Sequence, residues 1–223
     1  MNSSVNFLFI AVLTAVLCVS GTLALCDIKL TRDEKNLIEQ GEVIVRELSS
    51  KDKKGKTVEA VGLIEATVDE VYRVLIKFED YSTFMPHVSD VEIVQRDDSH
   101  AILNYALSLP LGKTKRYRLS KTYKYDGNTA SMQWDLIDWP ELKKSETIKN
   151  TTGYWLVKYY PEKKGYVIAV YHVYTDPGPI PLGLGWIADI LSKNSVPEVV
   201  IKTREQVVKT RHKDTKGPGL QEF

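Results

Sequence analysis

From Leu103 to Thr175 the chain runs through short apolar/polar alternations, and one long helical pattern follows them. That order is the strongest constraint on the fold. A strand sends successive side chains to opposite faces. Leu103, Tyr105, Leu107 and Leu109 share one phase, and Tyr117, Leu119, Tyr123 and Tyr125 share the next. Met132, Trp134 and Leu136 follow, then Trp155, Val157 and Tyr159. Val167–Thr175 is apolar in both phases, as in a strand covered on both sides. Turn signals at Leu111-Gly112, Asp126-Gly127-Asn128 and Pro161 to Gly165 separate the runs and predict a multi-stranded antiparallel sheet. Asp176-Pro177-Gly178-Pro179-Ile180-Pro181 breaks the last strand. From Gly183 to about His212, Leu184, Ile187, Leu191, Val199, Val200, Thr203 and Val207 fall broadly on one side of a helix, and Pro197 predicts a kink or break in it.

Upstream, Asp33–Gln40 reads as a short helix ended by Gly41. Glu42–Leu48 and Thr57–Ala66 are extended, with a charged turn between them, and predict a hairpin or one interrupted edge. Thr67 with Glu70 is a capping-box start, and Val71, Tyr72, Leu75 and Phe78 give the next helix one apolar face to about Lys77. The class is therefore α+β, with a curved antiparallel sheet gripping a long C-terminal helix. A lone helix must lie across the sheet to bury its apolar face. One helix cannot fill a wide concave sheet, so an apolar cavity is expected between them, the usual setting of a small-molecule site. The connection FEDYSTFMPHVSDVEIV (78–94) is too apolar for an ordinary surface loop. In this architecture Phe78 and Tyr81 tuck under the sheet, and Phe84, Met85 and Pro86 form a lip of the cavity.

Residues 66–94, ATVDEVYRVLIKFEDYSTFMPHVSDVEIV, resemble the segment after the first strand in helix-grip proteins. That superfamily includes StAR-related lipid-transfer (START) domains, polyketide cyclase/dehydrase-like proteins and coenzyme Q-binding proteins. Gly153, Trp155, Asp176, Pro177, Gly178 and Pro181 match its G-x-W strand and the turn into its last helix. The resemblance covers roughly residues 40 to 210, within a domain placed at 27–216. It implies a carrier of lipids or other hydrophobic small molecules, or else a cyclase/dehydratase-like enzyme using the same cavity, and it implies no cofactor. The ligand-facing candidates are Phe84 and Met85 at the rim, Leu103, Tyr105, Trp134, Trp155 and Tyr171 on the sheet, and Ile187, Leu191 and Val200 on the helix. An interaction protein with a filled core is the third reading.

The first 25 residues carry no charged side chain, and Val5–Leu25 is an apolar run ending in small residues. A cleaved secretory signal is the expectation, with a retained anchor or lipidation at Cys26 as alternatives. Cleavage would leave Cys26 alone, so no internal disulfide is expected. Asn150-Thr151-Thr152 fits a glycosylation sequon. A net charge of +1 gives no global pull toward nucleic acid. Local charge is uneven: Lys113–Lys124 holds six basic residues and no acid, and Lys193–Lys216 holds seven basic against three acidic. Arg116 and Arg118 share a phase with Ser120, Thr122 and Lys124, read as a solvated outer face or one that leans transiently on anionic lipid. No histidine, cysteine and carboxylate spacing suggests zinc. Of His87, His100, His172 and His212, only His87 and His172 stand where a site role is conceivable, and His172 or a cavity tyrosine would be the acid/base of an enzyme. A monomer is the expected state.

Overall fold

The computed structural model describes residues 28–49, 55–109, 112–178 and 195–215. Residues 1–25, where a cleaved secretory signal is expected, and Cys26, Leu184, Ile187 and Leu191 lie outside them. From Thr31 onward the elements are α1 (Arg32–Glu39), β1 (Ile44–Leu48), β2 (Lys56–Glu65), α2 (Val68–Ile76), a 3-10 turn (Phe78–Asp80) and α3 (Tyr81–Phe84). Then come β3 (Val88–Arg96), β4 (His100–Leu109), β5 (Lys113–Tyr125), β6 (Thr129–Ile137), β7 (Asn150–Tyr159), β8 (Tyr166–Asp176) and α4 (Val196–Thr215). The eight strands form one antiparallel sheet in the order β1-β2-β8-β7-β6-β5-β4-β3. β1 and β2 pair as a hairpin, with Ile44 opposite Val61 and Leu48 opposite Thr57. Two register shifts in the β3–β4 pair bend that end of the sheet.

Both early helices begin on capping boxes, Thr31 with Glu34 and Thr67 with Glu70. The Pro197 break falls in the first turn of the described α4, where no intrahelical donor is lost. The apolar connection after α2 is not a loop: it coils into the 3-10 turn and α3. That coiling drives Phe78 and Tyr81 into the core edge-to-face, 5.6 Å between ring centres, and the Tyr81 hydroxyl donates to the Leu75 carbonyl.

The sheet buries residues on both faces. Inward, Val58, Ala60, Ile64, Leu103, Tyr105, Leu119, Tyr123, Met132, Trp134, Trp155, Val157, Ala169 and Val173 join side chains of α2 and α4 in the main core. Gly62 lets α4 approach β2, since a Cβ there would stand 3.2 Å from Val200. Outward, Val61, Leu63, Ile168 and Val170 are buried on the face toward α1, which contributes Ile38. This is why β8 is apolar in both phases. Beside that patch, Arg46 donates to Glu34 and Glu59, and Glu59 faces His172.

α4 is pinned to α2 by Arg211, which donates to both Glu70 oxygens, at 2.7 and 3.1 Å, and to the Glu65 carbonyl. Glu70 also accepts from the Thr67 backbone N–H. Arg211, then the burial that opposes it, sets the Glu70 carboxyl, and the net effect holds its pKa below the ordinary value. Glu70→Ala is expected to cost about 2 kcal/mol, because a cap and a charged pair are lost together. Arg211→Ala should cost about 1 kcal/mol, since the pair is a third exposed. Urea denaturation checks this, and equal costs would mean that the cap contributes nothing.

Candidate functional site

The inward faces of β4–β8 and the start of α4 enclose a cavity of about 130 Å³. Tyr105 and Leu107 of β4, Tyr117, Leu119 and Lys121 of β5, Trp134 of β6, Trp155 of β7 and Tyr171 and Val173 of β8 build its wall. Met85, Pro86 and His87 line it from the turn before β3, and Ser195, Val196 and Val199 from the start of α4. The rings are ordered in pairs. Tyr105 stacks on Tyr117 at 5.3 Å, Trp134 on Tyr171 at 5.5 Å, and Trp155 tilts against Tyr171 at 4.9 Å. Gly153, opposite Trp134 on β7, leaves room for the indole; a Cβ there would collide with the indole and with the His172 carbonyl oxygen.

Lys121 sits inside this aromatic wall and is only 5% exposed. Its ammonium lies over the rings of Tyr81, Phe78, Tyr105 and Trp134, between 4.9 and 5.6 Å from their centres. Its one heteroatom contact is the Met132 sulfur at 3.7 Å, a weak acceptor. Burial pushes its pKa down to about 7. Among the described wall residues it is the only Lys, Arg, Asp or Glu. The hydroxyl of Tyr105, whose ring centre lies 5.3 Å from the ammonium, is buried and has no hydrogen-bond partner among the described residues. Burial raises the pKa of Tyr81, Tyr105, Tyr117 and Tyr171, so these phenols stay protonated at neutral pH.

Of the ten ligand-facing candidates, Met85, Tyr105, Trp134, Trp155 and Tyr171 converge on this wall. Leu103 and Val200 are buried in the packed core instead. Phe84 departs from the expected lip. α3 turns its ring onto Tyr81, at 5.6 Å, and into a cleft shared with Val74, Lys77 and Gln206. Ile187 and Leu191 lie outside the described residues. His172 points to the outer face, stacked on Tyr154 at 4.8 Å and paired with Glu59 at 3.4 Å, and so does not reach the cavity. His100 bonds Ser120 and His212 is exposed, while His87 lines the cavity. Arg118 is outward, donating to Asn104 and lying 5.0 Å over Trp139. Tyr125 and Tyr159 keep their strand phase but emerge into solvent at the strand ends.

Lys121 is the residue the sequence reading passed over. Its phase is that of Leu119 and Tyr123, which is the legible signal, yet it lies in a basic run that reads as a solvated stripe. Lys115 shares the phase, but it is satisfied at the strand end by the carbonyls of Ser145 and Thr147.

Residues 64–135 match the family described as polyketide cyclase/dehydrase and lipid transport, a span that reaches from the end of β2 to Trp134 and Asp135 in β6. The STAR-related lipid transfer protein (fragment 25-204) from Xanthomonas axonopodis superposes with a TM-score of 0.62 at 19% identity, over 74% of this chain and 93% of that one. This is a START-like helix-grip fold. Human STARD10 gives 0.64 at 14% identity over 78% and 73% of the two chains, and human StAR-related lipid transfer protein 5 gives 0.60 at 16% over 77% and 84%. No curated protein sequence matches the chain significantly. In helix-grip terms, the cavity lies between the sheet and the start of the gripped helix.

Proposed function

We propose that the protein is an exported carrier that holds a hydrophobic small molecule, of lipid or isoprenoid kind, between the sheet and α4. The observation that supports this most is the aromatic cavity, lined also by Met85–His87 and by the start of α4; its mouth is placed between those two segments. The family over 64–135 is described by lipid transport as well as by cyclase chemistry, and two of the superposable proteins named above are described as lipid transfer proteins. Sequestration is the mechanism: each methylene moved from water to this wall contributes about 0.8 kcal/mol. The cavity is smaller than the roughly 300 Å³ at which drug-sized sites begin, so a whole lipid is admitted by parting the mouth. His87 is the hinge on the loop side. Its φ of 61° is a strained backbone state for a non-glycine residue, and its carbonyl accepts from Ser108 on β4.

His172, the acid/base expected of an enzyme, faces away from the cavity, paired with Glu59 and stacked on Tyr154. Export rests on the uncharged apolar run of residues 1–25. The basic residues of α4, among them Lys202 and Lys209, suit a transient contact with an anionic membrane surface.

Native mass spectrometry of protein from its own host should show a co-purifying lipid, and added lipids or quinones should raise the thermal midpoint. Repeated purification without lipid, and no thermal response, would end the carrier reading. Met85→Ser should slow uptake with little loss of stability. Phe84→Ser should mainly cost stability, because that ring packs away from the mouth. The reverse pattern would move the gate elsewhere.

A further inference from the structure

Two donors buried in the cavity wall lack an oxygen or nitrogen acceptor among the described residues. The Tyr105 hydroxyl is buried and unpartnered, and the Lys121 amine meets only ring faces and a thioether. A buried hydroxyl left without a partner is destabilising, and a buried ammonium without a counter-charge is more so. Proteins avoid such arrangements unless something else completes them. No aspartate or glutamate stands among the described wall residues to do so. Four aromatic faces steady the ammonium but offer it no lone pair in line. The rest of the wall is apolar or aromatic, apart from Thr151, Thr175, Ser195 and His87, and the Thr151 hydroxyl already donates to the Tyr174 carbonyl.

We infer that the carried molecule is a hydrophobic monocarboxylic acid, whose carboxylate enters first and is received between the Lys121 ammonium and the Tyr105 hydroxyl. This rests on the carrier reading above and names the ligand class of that same site. A carboxylate has lone pairs for both donors, and it neutralises the one charge of the wall. An alcohol could accept one hydrogen bond but would leave the charge uncompensated. A phosphate head would bring more acceptor oxygens than these two donors can meet, and the described wall holds no second cation.

A pH dependence follows. Free Lys121 loses its proton near pH 7, so above that pH the protein must take up a proton to bind the acid. The ammonium lies over the titratable rings of Tyr81 of α3 and Tyr105 of β4, and Tyr117 of β5 and Tyr171 of β8 complete the phenols of the wall. All four stay neutral over this range. His87 is the remaining titratable side chain of the wall, from the mouth.

The test is calorimetric titration of the full chain with dodecanoate, 1-dodecanol and dodecylamine at pH 6 and pH 9. At pH 6 dodecanoate should bind at least about tenfold tighter than the alcohol, and the amine weakest. The advantage of the acid should shrink by up to about tenfold per pH unit above 7, because binding is then linked to proton uptake. Lys121→Met should erase the preference for the acid while the alcohol still binds, and Tyr105→Phe should reduce it in part. Equal affinities for acid and alcohol in the wild type, or a preference that survives Lys121→Met, would overturn the carboxylate inference and leave the carrier reading standing. Binding of none of the three would overturn both. If dodecanal condensed with the Lys121 amine, losing water, and added borohydride reduced that imine to a stable secondary amine, with acid and alcohol bound alike, the amine would instead be assigned to imine formation.

Discussion

Lys121→Met is expected to make the unliganded protein more stable, by about 3 kcal/mol at pH 6, and to flatten its stability against pH. Burial lowers the lysine pKa from 10.5 to about 7, and each unit of such a shift corresponds to about 1.4 kcal/mol against the charged form. The aromatic faces over the ammonium return about 2 kcal/mol of that. The folded pKa lies below the unfolded one. Below pH 7 both states hold the proton, and the folded state bears the full penalty. Between pH 7 and 10.5 only the unfolded chain stays protonated, so wild-type stability climbs with pH across that window. Above it the penalty is gone. Methionine has similar length, needs no counter-charge and makes favourable contacts with ring edges. Differential scanning calorimetry should therefore show a midpoint raised by roughly 5 °C or more at pH 6, and little change at pH 10.5. A variant less stable than wild type at pH 6 would mean that the ammonium is structurally satisfied. The inference that a ligand completes it would then lose its footing.

Gly153→Ala is expected to destabilise the protein by about 3 kcal/mol, at the upper end of what overpacking a core costs. The added methyl meets two obstacles of different kinds. One is the Trp134 indole, which lies directly across the β6–β7 pair, and the other is the His172 carbonyl oxygen on β8. A side chain can be replaced, whereas the carbonyl belongs to the ladder. Trp134→Leu in the same background should therefore recover part of the loss and no more. A double-mutant cycle in urea reads the coupling. Full recovery would show that the backbone gives way easily, and no recovery would show that the indole was never the constraint. Displacing Trp134 also breaks its stack on Tyr171, so ligand uptake should fall in Gly153→Ala by more than stability alone explains.

The antiparallel sheet, its capped helices and the inward set Tyr105, Trp134, Trp155 and Tyr171 were legible because a strand's period of two writes its faces into the sequence. The same rule held Lys121 in the inward phase, between Leu119 and Tyr123, and His172 in the outward phase, between Tyr171 and Val173. Both were readable in principle. A charge on an apolar phase is improbable in isolation, and only the rings gathered from α3, β4 and β6 make room for it. At strand ends the rule weakens, as Tyr125 and Tyr159 show, because phase says nothing about where cover stops.

Phe84 and Met85 adjoin in the chain and part company in space, one toward α2 and α4 and the other toward the cavity. A 3-10 turn followed by one turn of helix sets that divergence. Its direction depends on Phe78 and Tyr81 finding their pocket under the sheet. Local spacing thus determined the elements, their order and most of the inner faces, since those follow from backbone geometry and burial alone. The three-dimensional structure decided what no window of neighbouring residues contains: which aromatic rings surround the Lys121 amine, and that the Tyr105 hydroxyl is buried with no partner among the described residues. Those contacts join strands and helices tens of residues apart, and only the assembled sheet brings them within reach.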